Sequence, residues 1–269
     1  MLNKDTTLCI SLAGRPSNLG TRFHNYLYEE LGLNFVYKAF TTGDIEAAIG
    51  GVRALGIRGC SVSMPFKEAV IPLVQELTAS AQAIDSVNTI VNDDGRLTAY
   101  NTDYEAVAEL IGRRGLDPAA PVLLRGSGGM AKAVVAAFRD AGFRDLTVLA
   151  RNAVAGPALA DKYGYRWVRD DPAPADAIIV NVTPLGMNGP DADALAFPPS
   201  QIEAARAVFD VVASPAETPL IQAARAAGKP VITGAEVIAL QAARQFELYT
   251  GVSISAEQVA RASAFSREI

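Results

Sequence analysis

"LLRGSGGMAKAVV", Leu123 to Val135, decides how this chain is built. An apolar run ends in a glycine cluster, and the cluster opens directly into an alanine- and valine-rich stretch with helical spacing. The pattern is Gly126-x-Gly128-x-x-Ala131. Glycines there permit a tight turn and let backbone N–H groups approach a pyrophosphate, while the start of a helix adds partial positive charge. A plain glycine turn would use the same residue types, so the match is informative only between a strand and a helix. That context is present, which makes Gly126, Ser127, Gly128, Gly129 and Met130 candidates for a dinucleotide site. Arg125 is out of character: a cation at a strand position usually filled by an apolar side chain.

Downstream, the segments "LTVLA", "AIIVNV", "AVFDVV" and "PVIT" alternate with helical stretches. Strand–helix alternation of this kind predicts a parallel sheet of Rossmann type. "LTVLA" runs into Arg151-Asn152, and no acid follows until Asp161. An acid at that place suits the ribose 2′-hydroxyl of NAD, whereas an arginine suits the 2′-phosphate of NADP. NADP is therefore the expected cofactor, although a solvated loop arginine would look the same.

Upstream the alternation is looser. A strand from Thr7 to Leu12 precedes the loop "AGRPSNLGT" and an amphipathic helix ending near Gly32. The strand "NFVYKAF", a helix from Asp44 to Leu55 and a strand from Gly59 to Ser63 follow. A helix is expected from Pro65 to about Leu77. "VNTIV", "NDDG" and "RLTAYN" then read as a hairpin with an Asp-Gly turn. A helix from Tyr104 to Arg113 and the break "LDPAAP" lead to the dinucleotide motif. Helices from Ala235 to Tyr249 and Ala256 to Arg267 close the chain with no local strand to cover, so they are expected to return to the first half. The fold expected is α/β in two domains: 1–103 with 236–269 for substrate and catalysis, and 104–235 for the dinucleotide.

The 269 residues are 50% hydrophobic, enough to bury two cores, and the formal net charge is -5. Without a clustered basic face, nucleic acid is not an expected partner. No apolar run approaches the roughly 18 residues of a membrane span, and the first residues do not resemble a signal peptide. Two cysteines, Cys9 and Cys60, read as buried free thiols in a reducing cytoplasm. One histidine and two separated cysteines make a metal site unexpected. The expected partner is a small molecule, bound by a monomer or homodimer.

"IRGCSVSMPFKE", Ile57 to Glu68, delivers Lys67 at the mouth of a buried strand. A solvated lysine at a helix start is one reading; a partly desolvated proton donor is the other. Asn88 in "SVNTI" and Asp103 in "YNTDY" ride a hairpin that could meet that strand end. Alone, an Asn-Thr-Asp stretch is an ordinary loop. A lysine held by an aspartate beside a nicotinamide, however, can protonate an alkoxide as hydride arrives.

Taken together these stretches resemble the shikimate dehydrogenase family, and most of all its shikimate dehydrogenase-like subgroup. "SVSMPFKE", "SVNTI", "NTD", "GSGGMAKA", "ARN", "NVTPLGM" and "GAEVIALQAA" match the family's motifs in order over nearly the whole chain. The resemblance implies NADP-dependent interconversion of 3-dehydroshikimate and shikimate, with Lys67 as acid/base and Asp103 as its partner. It implies substrate contacts from Ser63, Asn88 and Gln241. On the cofactor it implies Asn181, Thr183, Val211 and Gly234, and it supports Arg151 at the 2′-phosphate. The family's carboxylate-binding Ser-x-Ser lies in a loop that is here the shorter "GRPSNLGTRFHN"; Asn18 and Gly20 fall on the serine positions, with Ser17 and Thr21 as nearby hydroxyls. Ala213 stands where the family carries a substrate-contacting tyrosine. These departures leave open quinate or an amino-shikimate as substrate, and a ligand-binding regulatory protein with vestigial activity. His24 has no catalytic role in the pattern and is expected to be structural.

Overall fold

The computed structural model of the protein describes residues 2–170 and 174–268. The chain forms two compact units: the first runs to Thr102 and resumes at Ala239, and the second spans Asp103–Ile238.

In chain order the first unit contains β1 (Thr7–Leu12), α1 (Leu19–Glu30), β2 (Phe35–Phe40), α2 (Ile45–Ala54), β3 (Gly59–Val62), β4 (Glu76–Leu77), α3 (Ala79–Ile84), β5 (Thr89–Asp93) and β6 (Arg96–Tyr100). Helix α4 (Thr102–Arg113) leads out of it. The sheet order is β2-β1-β3-β5-β6-β4. Strand β1 runs parallel to β2 and β3, while β5 is antiparallel to both β3 and β6. Both faces are covered. Ile10, Val62, Ile90 and Leu97 pack with Ile49 and Val52 of α2 on one side. Cys9 and Val91 pack with Phe23 and Leu27 of α1 and with Phe246 and Tyr249 on the other. Burial on both faces is why β1 carries Leu8, Cys9 and Ile10 in succession rather than a strict apolar–polar alternation. Asp44 starts α2 by accepting the Ala47 N–H at 2.9 Å, which satisfies one orphan helix donor. At the hairpin tip Asp94 and Gly95 both take positive φ, 50° and 89°, as the Asp-Gly turn demands.

The helix expected over Pro65–Leu77 does not form. The chain turns through Val70, makes a short 3-10 turn at Ile71–Leu73, and pairs β4 with β6. Pro72 lacks an N–H and would crowd the preceding turn of a helix. The helix-like spacing of Val70, Ile71, Val74 and Leu77 reflects burial against the sheet instead.

The second unit holds β7 (Val122–Arg125), α5 (Gly129–Asp140), β8 (Leu146–Leu149), α6 (Ala155–Tyr163), β9 (Arg166–Val168), β10 (Ile178–Asn181), α7 (Pro199–Ala204), β11 (Ala207–Asp210), α8 (Pro219–Ala226) and β12 (Val231–Thr233). Its sheet is parallel throughout, in the order β12-β11-β10-β7-β8-β9. Strand order reverses between β7 and β10, the crevice where open α/β sheets bind ligands. Strand β9 is an addition to the sequence reading; three residues, "RWV", are too few to show a period.

Helix α9 (Gly234–Thr250) carries the chain back into the first unit, and α10 (Ala256–Arg267) follows a capping box made by Ser255 and Gln258. Arg22 of α1 donates to the Phe265 carbonyl at 2.9 Å, and Arg261 meets Glu30 at 2.6 Å, docking α10 on α1. No helix among the described residues is long and apolar enough to cross a membrane.

Candidate active site

Within the first unit the sequence-predicted residues gather around the start of β5. Asn88 is 3% exposed. Its Oδ1 accepts from the Thr102 N–H at 2.8 Å and from the Thr89 hydroxyl at 2.8 Å. Thr102 Oγ1 lies 3.2 Å from that same oxygen and 3.3 Å from Gln241 Oε1, so one hydroxyl proton is shared between two amide carbonyls. These bonds fix which way the Asn88 amide faces. Lys67, half-buried in the turn after β3, accepts the Val87 N–H on its carbonyl at 2.8 Å, which ties its backbone to the residue before Asn88. Asp103 is the next residue after Thr102, half-buried in the first turn of α4.

The loop before α1 lies against the end of β3. Gly14 donates to the Met64 carbonyl at 2.9 Å, and Ser63 donates to the Leu12 carbonyl at 2.9 Å. Ser17 and Asn18 are exposed there, as is Ser63. Thr21 differs: its hydroxyl is buried, with no hydrogen-bond partner among the described residues. An inward hydroxyl is a poorer ligand contact than the outward Ser17 and Asn18.

In the second unit the cofactor-side residues line the C-terminal edge of the sheet. Gly126 has φ +124°, and an added Cβ would come within 2.8 Å of the Val182 side chain and 3.0 Å of Thr183 Cγ2. Only glycine lets the turn after β7 sit this close to the loop after β10. Gly128 and Gly129 have open space where a Cβ would be, and Gly128 starts α5 without a side-chain cap. The α5 amides are thus presented outward with Ser127 and Met130 half-buried beside them. Arg151 is exposed just beyond β8. Asn152 Oδ1 accepts the Val154 and Ala155 N–H groups at 2.9 Å each, shaping the turn that presents the arginine. Gly234 packs on the Val211 carbonyl so tightly that a Cβ would sit 2.2 Å from its oxygen. These features fit a dinucleotide: close backbone approach, outward amides, and a cation where NAD enzymes carry an acid.

Two supporting arrangements escaped the sequence reading. Asp210, fully buried, accepts from Asn181 Nδ2 at 3.0 Å, the Val212 N–H at 3.0 Å and the Thr218 hydroxyl at 2.6 Å. Burial pushes its carboxyl above the usual carboxylate range, and the three donors pull it back. Asn181 in turn accepts from Thr183 at 2.6 Å, so a buried carboxylate organises the loop after β10. In the first unit, Tyr37 donates to Ser61 at 2.8 Å and Ser61 to Gln245 Oε1 at 3.0 Å. Gln245 Nε2 then reaches Thr89 Oγ1 at 2.8 Å, so a relay braces the Asn88 knot from behind. His24 stacks on Tyr37 with centroids 4.4 Å apart, and burial lowers its pKa to about 3. Gln245 approaches the imidazole without reaching hydrogen-bond geometry, and both ring nitrogens are buried without a partner among the described residues. Cys9 and Cys60 are buried free thiols, and burial pushes Cys9 up to about 12, far from a reactive thiolate.

Residues 17–90 match the family model for the shikimate dehydrogenase substrate binding domain. The chain is 59% identical over 268 residues to a shikimate dehydrogenase-like protein of Haemophilus influenzae, covering 99% of each chain. Among solved structures it resembles shikimate 5-dehydrogenase of Thermus thermophilus in complex with NADP(H) and shikimate, at 30% identity and TM-score 0.85 over 97% of this chain and 99% of that one. It also resembles quinate dehydrogenase of Corynebacterium glutamicum in complex with NAD, at 28% identity and TM-score 0.87 over 96% and 98%.

Proposed function

The chain belongs to the shikimate dehydrogenase family, and on that premise we propose that it is an NADP-dependent oxidoreductase interconverting 3-dehydroshikimate and shikimate. The observation that carries the reading is the buried Asn88–Thr102–Gln241 knot, with Lys67 tied to the residue beside it. A fixed amide pair is what recognition of ring hydroxyls needs, because each hydroxyl then meets a group that cannot turn away.

Residues 1–103 with 236–269 act on the substrate, and residues 104–235 hold the dinucleotide. When bound, the nicotinamide supplies the hydride or accepts it. Gly126 to Met130 hold the pyrophosphate on backbone amides, and Arg151 pairs with the 2′-phosphate. Asn181, Thr183, Val211 and Gly234 shape the nicotinamide end. Ser17 and Asn18, with Ser63, receive the substrate carboxylate, and Asn88 and Gln241 the ring hydroxyls. Lys67 Nζ donates a proton to the ketone oxygen as it becomes an alkoxide, and recovers it in the reverse direction. The Asp103 carboxylate orients that ammonium. Buried free thiols suit a reducing compartment, the cytoplasm.

Ala213 and the short carboxylate loop favour a second reading, in which quinate or an amino-shikimate is the preferred ring acid. A spectrophotometric assay of shikimate, quinate and an amino-shikimate, each with NADP and with NAD, tests both. NADP-linked turnover fastest on shikimate supports the first reading, and turnover fastest on another ring acid supports the second. Cofactor binding with no turnover of any ring acid would instead make the protein a ligand-binding relic of the family.

A further inference from the structure

Arg125 ends β7, the strand that runs straight into the glycine loop, and nothing in the proposed function uses it. Its register partners are Leu149 on β8 and Asn181 on β10, both buried. Its guanidinium lies 5.2 Å from the ring centroid of Phe197, which is fully buried. Its Nε is buried and has no hydrogen-bond partner among the described residues. A cation at the centre of a sheet edge loses hydration, and the usual remedy is a carboxylate in contact. Asp170 lies near enough to act electrostatically but is itself exposed, and Arg151 adds repulsion from the next strand end. Two guanidiniums at the ends of adjacent strands, near enough to repel and one with an idle Nε donor, suit a shared anion.

We propose that Arg125 is a second guanidinium of the dinucleotide site, acting with Arg151 on the 2′-phosphate of the adenosine ribose. The inference rests on the NADP reading above. The pyrophosphate has the α5 amides, whereas Arg125 and Arg151 sit at the ends of the neighbouring strands β7 and β8, near enough for their charges to repel. The plain alternative is an arginine that only packs over Phe197.

Isothermal titration of adenosine 2′,5′-bisphosphate and of 5′-AMP separates these, since the probes differ only in the 2′-phosphate and neither needs turnover. Loss of charge-assisted bonds in Arg125→Met should weaken the bisphosphate roughly 10–100-fold and change 5′-AMP by less than about 2-fold. The thermal midpoint of the ligand-free variant should fall little, because methionine keeps an apolar contact with Phe197 and the lost Nε has no hydrogen-bond partner among the described residues. Equal loss for both probes, or no loss for either, would overturn the assignment. Should Arg125→Met not fold, Arg125→Lys decides: it keeps the charge but not the planar fork. A several-fold loss confined to the bisphosphate supports the proposal, and unchanged affinity refutes it. If wild type prefers the bisphosphate, and Arg151→Ala abolishes that preference while Arg125→Met retains it, only the Arg125 assignment fails. If wild type binds both probes equally, the NADP reading falls and takes this inference with it.

Discussion

Replacing Asp210 with alanine removes the acceptor of three buried hydrogen bonds at once: one from Asn181 Nδ2, which keeps the Leu185 carbonyl at 3.2 Å, one from the Val212 N–H and one from the Thr218 hydroxyl. An unsatisfied buried donor costs about 1–3 kcal/mol, so the gross loss is about 3–9 kcal/mol. Two effects reduce it. The variant no longer buries a carboxylate that desolvation disfavours, and the Thr218 hydroxyl, which also caps α8 through the Ile221 N–H at 3.2 Å, can rotate. A net loss of about 3–5 kcal/mol is expected, much of a typical domain's stability. Asp210→Asn keeps the shape but turns one acceptor into a donor facing a donor, and should lose about 1–3 kcal/mol. Urea unfolding followed by circular dichroism reads both as a lower midpoint at unchanged slope. The pH dependence has a definite sign. The folded carboxyl titrates above its ordinary value of 3.8, so its contribution is fullest below that value. The advantage of wild type over Asp210→Asn should therefore shrink as pH rises from below 3.8 through the raised pKa. A loss under about 1 kcal/mol for Asp210→Ala would refute the view that this carboxylate organises the loop after β10.

Arg151→Ala should weaken NADP by about 1.5–3 kcal/mol and leave NAD nearly unchanged, as titration of each cofactor will show; equal losses would remove the arginine from the 2′-phosphate. Ser17→Ala should raise KM for the ring acid several-fold at unchanged NADP affinity. Thr21→Val should leave KM alone and not destabilise, since the hydroxyl it removes is buried without a partner among the described residues; the reverse pattern would move the carboxylate site to Thr21. His24→Phe keeps the stack on Tyr37 and deletes two ring nitrogens that have no partner among the described residues, so its urea midpoint at pH 7 should match or exceed wild type. Because the folded pKa of His24 is depressed to about 3 from 6.5, wild type should lose stability as pH falls through that window. The phenylalanine variant should lose less, and parallel curves would contradict the burial argument.

Much of the fold was legible because short-range pattern carried it. The glycine cluster after "PVLLR" marked β7 and α5, and Asp94-Gly95 marked the β5–β6 hairpin. The segment from Pro65 to Leu77 misled because burial against a sheet mimicked helical spacing, and Pro72 was the local sign that no helix would form. At the site, residue type and spacing pointed to Lys67, Asn88, Asp103 and the Gly126 loop, whereas Gln241 was suggested by the family resemblance alone. The relay from Tyr37 through Ser61 and Gln245 to Thr89 was not legible, because its members meet only after four elements have packed. Asp210 lay inside a quoted strand, yet nothing local distinguishes a buried aspartate from an exposed one at a strand end. Thr21 shows the same limit from another side: its type suggested a ligand contact, and nothing in the sequence signals that its hydroxyl is buried without a partner among the described residues.

The central claim is that Lys67 and Asp103 handle the proton as a unit, and initial-rate measurement of NADPH formation from shikimate tests it most directly. Lys67→Ala should lower kcat by about 10²–10⁴ with NADP affinity intact. Asp103→Asn should also lower kcat, and the double variant should lose far less than the product of the single losses. Multiplicative losses would mean that the two residues act independently, and an unchanged kcat in Lys67→Ala would return the lysine to solvent.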